Sequence, residues 1–201
     1  GSWRKVLGWM VEHGAEQDIL VDTHPHIGTN KLPAIISGMR ERIISCGGEV
    51  RFQCRVTGVD REASGAVQGV ITAEGRVAAA AVVVATGHGA RDVFEWMQQD
   101  GLQVERKPFA LGVRIEHPQS WVNTRQYRLR DAALADDLGL PPAAYSLVTQ
   151  TEGGGVFSFC MCPGGVIAPC ATEDGEVVTN GWSPSKRNNP WANSGIVTTV
   201  S

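Results

Sequence analysis

The stretch Ala81-Val82-Val83-Val84-Ala85 constrains the fold more than any other part of the chain. Small and β-branched residues follow one another there without the polar alternation of a half-buried strand, so they read as a strand covered on both faces and central in its sheet. The run stops at Thr86-Gly87-His88-Gly89. After it, Ala90, Val93, Phe94 and Met97 share a helical face, and Gly101 supplies the stop. Strand, glycine turn and helix in direct succession predict an α/β unit whose turn lies at the carboxyl end of a strand, where open sheets bind ligands. Two readings of the turn stand side by side. Its glycines let a cofactor approach the backbone while the helix offers N–H groups to an anion, or they only supply the geometry of an ordinary βα turn.

The segments before this unit predict a helix at Trp3 to His13, a loop at Asp22 to Gly28, and a second helix at Lys31 to Cys46 closed by Gly47-Gly48. Three strands follow as a β-meander, Glu49 to Asp60, Ala66 to Ala73 and Arg76 to Ala85, with turns at Ser64-Gly65 and Glu74-Gly75. Beyond Gly101 the texture becomes β-rich. Leu111, Val113 and Ile115 alternate with Gly112, Arg114 and Glu116, a strand expected to end at His117-Pro118. A short helix at Asp131 to Leu138 and strands at Gly155 to Cys162, Val166 to Cys170 and Glu176 to Thr179 come next. Asn180 to Gly195 reads as a long polar loop, and Ile196 to Val200 as the start of a strand.

A chain of 201 residues is long enough for one domain with a real core or for parts of two. Its formal net charge of -3 provides no basic face for nucleic acid, and no apolar span reaches membrane length. A small-molecule partner is therefore expected. Five cysteines without a secretory segment point to a reduced, cytoplasmic location. Gly1-Ser2 resembles the scar of a removed tag, so the natural protein is expected to begin upstream of Trp3.

Four stretches carry a family resemblance: PHIGTNKL (Pro25 to Leu32), VVVATGHGARD (Val82 to Asp92), KPFALGVRIEHPQ (Lys107 to Gln119) and VFSFCMCPGG (Val156 to Gly165). In this order they closely resemble the bacterial FAD-dependent dehydrogenases described as NAD(FAD)-utilizing, of the glutathione-reductase-type flavoprotein superfamily. The resemblance implies a partial FAD/NAD(P)-binding domain with a β-meander over residues 3–91, followed by a β-rich inserted substrate domain over 92–201. It also implies a flavin-dependent oxidoreductase, with FAD taking a hydride from a small organic substrate or a nicotinamide. The superfamily's opening strand and G-x-G-x-x-G turn find no match here, since Gly153-Gly154-Gly155 precedes a strand. The segment that would return to the flavin is missing as well. The chain is therefore expected to be the middle part of a flavoprotein, binding FAD weakly or not at all by itself. The alternative is a cofactor-free, non-catalytic binding module.

Candidate residues follow from these readings. The resemblance implies that Thr86, Gly87, His88 and Gly89 lie against FAD, and that the loop with His26 and Thr29 packs near the flavin. His24 and His26 are spaced as a metal pair, but no further ligands follow at zinc-like spacing, so no metal site is expected. Arg114 could hold a substrate carboxylate as a fork, with His117 as acid or base; the competing reading is a cross-strand ion pair with an edge histidine. Cys160 and Cys162 share a strand face two residues apart, too far for a relaxed disulfide, and read as small buried hydrophobes or as a redox or metal pair. Finally, a central strand without its neighbour would expose unpaired edge groups, which leads to the expectation of a homodimer through that sheet edge.

Overall fold

The computed structural model describes residues 2–200. Helix α1 (Ser2–Glu12) leads into a single 3-10 turn, Gln17–Leu20. Helix α2 (Leu32–Ser45) starts with Pro33 in its first turn, where the missing N–H costs nothing, and stops as Gly47 turns left-handed at φ +86°. Leu7, Met10 and Val11 of α1 and Met39 of α2 pack around buried Ala15, Ile19 and Ile35. Helical periodicity is enough to find both helices.

Strands β1 (Val56–Arg61), β2 (Val67–Thr72) and β3 (Gly75–Ala78) form an antiparallel sheet in chain order. Helix α3 (Arg91–Gln99) packs on β1, held by an Arg55–Asp92 ion pair of 2.6 Å and by the Arg61 guanidinium donating to the Asp100 carbonyl. The strand expected from Glu49 begins at Val56, because Gln53 is left-handed at φ +53° and interrupts the extended chain. A larger correction concerns Ala81–Ala85. Residues 79–90 join no sheet, and Val83 is 89 % exposed. A strand of this composition needs a neighbour on each edge, and among the described residues none pairs with it.

Strand β4 (Phe109–Pro118) is followed by α4 (Gln119–Tyr127), α5 (Leu134–Asp137), β5 (Val148–Thr151) and β6 (Gly154–Cys162). Strands β7 (Val166–Pro169) and β8 (Thr179–Trp182) pair with each other, and β9 (Trp191–Val200) completes the set. The larger sheet has the order β4-β9-β6-β5, all antiparallel. β4 and β9 pair along their whole length, from Phe109 opposite Val200 to Pro118 opposite Trp191. The long loop expected at Asn180 to Gly195 is thus strand at both ends, in β8 up to Trp182 and in β9 from Trp191, with loop only between them. Asn193 and Ser194 are completely buried in the middle strand, and their polarity hid it from a hydrophobic pattern search.

The chain divides into two compact units. One gathers the residues up to Gly48 and those from Pro108 onward, and the other is Glu49–Lys107. The architecture is mixed α/β with several sheets. No helix among the described residues is long and apolar enough to cross a membrane.

Candidate functional site: the two faces of strand β4

Because β4 runs through to Pro118, His117 belongs to the strand and alternates with Arg114. The two residues emerge on opposite faces of the sheet. On the first face, Arg114 reaches across β9 to β6. Its Nη1 donates to Asn193 Oδ1 at 2.6 Å and to the Cys160 carbonyl at 3.1 Å. Cys160 is left-handed at φ +47°, within an irregularity of the β6–β9 register between Phe159 and Cys162. Arg114 therefore clamps a bulge, and no carboxylate lies within ion-pair distance of it among the described residues. Glu116 instead accepts from the Ile167 backbone N–H at 3.4 Å. The bulge also separates the two cysteines. Cys160 is exposed, whereas Cys162 is half-buried and donates its thiol to the Cys160 carbonyl at 3.3 Å. Burial pushes the Cys162 thiol up, against the opposing pull of the Arg114 charge.

Gly181 of β8 lies directly over this cluster. A Cβ there would stand 2.4 Å from Cys162 Sγ and 2.6 Å from Arg114 Nη1, so glycine is required for the ribbon β7–β8 to close on the sheet. Asn193 Nδ2 is buried here without a hydrogen-bond partner.

On the opposite face, His117 Nε2 and the Tyr145 hydroxyl are 2.9 Å apart, and the His117 ring stacks on Trp121 of α4 with centroids 5.3 Å apart. Burial raises the Tyr145 phenol, opposed by Ser194 and by the charge of Arg114. The beginning of α4 is fixed by a buried amide network. Gln119 Nε2 donates to Asn123 Oδ1 at 2.8 Å and to the Ala143 carbonyl at 3.0 Å, while its Oε1 accepts from the Gly164 N–H at 2.7 Å. Sequence alone predicts a short helix at Asp131 to Leu138, where the structure has α5, but it assigns no element from Trp121 to Arg130 and does not single out Trp121, Tyr145 or this network. A signal was available in Trp121, Val122 and Arg125, which are spaced to line one side of a helix.

The loop carrying His26 and Thr29 is occupied with internal contacts. His26 Nε2 lies 3.0 Å from the Pro184 carbonyl, and the Thr29 N–H donates to the Ser183 carbonyl at 2.9 Å. Gly28, at φ +93°, has no room for a side chain, since a Cβ would meet Ser185 N at 2.3 Å. This docking ties the beginning of the chain to its end, 154 residues apart at Thr29 and Ser183. Thr86, Gly87 and His88 are exposed, and Gly89 is half-buried, in the turn before α3. Gly87 is left-handed at φ +78° with open space around it.

An FAD pyrophosphate needs several backbone donors converging on it. Among the described residues the Thr86 to Gly89 turn is open, no strand leads into it, and the sheets are antiparallel. The described residues do not make up a complete FAD cradle.

Two comparisons give this geometry a setting. The chain is 36 % identical over 198 residues to an uncharacterized protein of Clostridium beijerinckii, an alignment covering 98 % of this chain and 36 % of that protein. The chain thus spans about a third of the length of this relative. Residues 108–201, which contain the sheet β4-β9-β6-β5 and both faces described above, match the family described as "FAD-dependent protein, C-terminal domain-like". Over residues 108–201 the chain therefore carries an FAD-dependent, C-terminal domain-like region, consistent with the broad FAD-dependent flavoproteins.

Proposed function

We propose that this chain is part of a larger FAD-dependent dehydrogenase of the glutathione-reductase-type superfamily, acting on a small organic substrate or a nicotinamide. The observation that carries the reading is the family match over residues 108–201, the region that builds both candidate faces. By role, Trp3 to Arg91 belongs to the cofactor part and Asp92 to Ser201 to the substrate part. The compact units cross that division, since residues up to Gly48 pack with those from Pro108 onward. The proposal divides the chain by task, not by contact.

Within it, His117 acts as acid or base. Its hydrogen bond to Tyr145 holds the ring in place and links Nε2 to the Tyr145 hydroxyl as a path for a proton. Arg114 anchors an anionic group approaching the other face, a role supported by the lack of a neutralising carboxylate among the described residues. Thr86 to Gly89 contributes one open turn against the cofactor, and His26 and Thr29 stiffen the loop at Ser183 to Ser185. FAD, once bound by the larger protein, would accept the hydride.

The test is the visible spectrum of the whole protein containing this chain, purified and reconstituted with FAD. Stoichiometric flavin absorbance is expected, and a protein that stays colourless overturns the reading in favour of a non-catalytic binding module. The chain by itself is expected to bind FAD weakly or not at all. Stoichiometric quenching of flavin fluorescence at micromolar chain would contradict that.

A further inference from the structure

The His117 face opens into a cleft of about 170 Å³ whose lining includes Ile115, His117, Trp121, Arg125, Tyr145 and Leu147. Apart from Arg125 and Gln126 the lining is apolar or aromatic, and two of its rings are held in place by their neighbours. His117 is fixed between the Tyr145 hydroxyl at 2.9 Å and the Trp121 ring at 5.3 Å. Trp121 and Leu147 stand 49 % and 53 % exposed, so the cleft presents apolar surface to solvent. Arg125 lies over the Trp121 ring, its Cζ 5.8 Å from the centroid, and no carboxylate is within ion-pair distance of it among the described residues.

We infer that this cleft binds a monocyclic aromatic carboxylate. Three quantities lead to this class of ligand. An apolar cavity of about 150 Å³ accepts a benzene ring, so the observed volume matches one six-membered ring. The aromatic wall of Trp121 favours a planar ring over a flexible chain. Arg125, already oriented by the indole and free of an internal anion, supplies a two-pronged donor where a ring substituent would leave the cleft. The carboxylate contact thereby falls to Arg125, one helical turn after Trp121, and Arg114 is left to the other face. A ring seated here has its edge beside His117 and Tyr145, within reach of their hydrogen-bonded pair.

As a binding site this stands on the chain's own residues; as a substrate site it rests on the dehydrogenase reading. The two are separated by measuring binding with no flavin present. Isothermal titration of the chain with benzoate is expected to give saturable one-to-one binding in the millimolar range or tighter, with benzamide and acetate much weaker. Arg125→Ala should weaken benzoate by about tenfold or more through loss of a charge-assisted contact. Leu147→Trp, which fills the cleft, should abolish binding. The indole N–H resonance of Trp121, assigned by triple-resonance methods on the unaltered chain, should shift on titration, so this arm of the test does not depend on any variant folding. Absence of benzoate binding overturns it, as does binding that leaves the Trp121 resonance unmoved or survives both substitutions. Failure of FAD to bind would leave this result untouched.

Discussion

Residues 108–200 and residues 49–107 contain similar kinds of residue and bury them differently. In the first region the sheet β4-β9-β6-β5 completely buries Asn193 and Ser194, and polar side chains of Gln119 and Asn123 are consumed by internal partners. In the second, the most apolar run of the chain, Val82-Val83-Val84, lies outside any sheet with Val83 at 89 % exposure. Apolar sequence says which surface needs cover. Whether the cover is present depends on long-range partners, and buried polar groups mark the region where those partners have been found.

Glycine substitutions offer the sharpest way to break this contrast. Gly164 is left-handed at φ +55°, and a Cβ there would stand 1.8 Å from the Arg187 carbonyl oxygen, so backbone must move. Gly164→Ala is expected to cost about 3 kcal/mol, combining left-handed strain with overpacking. Gly87 shares the left-handed conformation, at φ +78°, but has nothing within 4 Å. Gly87→Ala should cost about 1 kcal/mol, from strain alone. Urea denaturation of the two variants checks the pair, and equal losses would remove the distinction between a closed and an open region.

A smaller loss is expected at Arg114. Arg114→Met keeps the aliphatic stem but leaves Asn193 Oδ1 and the Cys160 carbonyl without their donor, at a cost of about 2 kcal/mol. Arg114→Lys should recover part of this, because an ammonium can satisfy one acceptor but lacks the planar fork. If both variants unfold at the urea midpoint of the unaltered chain, the clamp contributes nothing to stability and Arg114 is held for a ligand.

The open region predicts almost no stability effect and a change in association instead. Val83→Lys alters an exposed side chain and should shift stability by less than about 0.5 kcal/mol. If the Val82 to Ala85 stretch pairs with a second copy, the same charge should suppress that pairing. Light scattering over a concentration series measures it; a chain that is monomeric before and after the change overturns the expected homodimer.

The sequence was most legible where one periodicity dominated. α1, α2 and α3 follow from helical stripes, and β4 from alternation between Leu111 and Glu116. It was least legible where residues are chosen for partners far along the chain. β9 is buried but polar at Asn193 and Ser194, so its first half resembled a loop. The strand expected at Ala81–Ala85 is the reverse case, apolar in composition but without paired neighbours among the described residues. At the site, Arg114 and His117 were both visible as polar residues near a strand end. Their placement on opposite faces required knowing that β4 continues to Pro118. Tyr145 and Trp121 come from other elements, and no local pattern places them beside His117.

The subtlest expected effect compares single thiols within the well-buried region. Cys162 is half-buried beneath Gly181, and burial raises its thiol, whereas Cys160, two residues earlier, is exposed by the bulge. Alkylation proceeds through the thiolate and needs access, so Cys162 should be the slowest of the five cysteines to react with iodoacetamide, with Cys160 and Cys170 well ahead. The charge of Arg114 opposes the shift, which gives the measurement a second arm: in Arg114→Met the lag of Cys162 should lengthen, provided the fold is retained. The same shift sets a sign for stability. A thiol held above its unfolded value keeps its proton more firmly when folded, so its contribution is fully present below the unfolded thiol value and declines as pH rises toward the folded one. Mass-spectrometric labelling over a pH series reads both effects, since Cys162 should gain on the exposed cysteines as alkaline pH is approached. Labelling of Cys162 as fast as Cys160 at neutral pH would mean that the ribbon β7–β8 stands open over the Arg114 cluster, and the region taken as closed would have to be grouped with the open one.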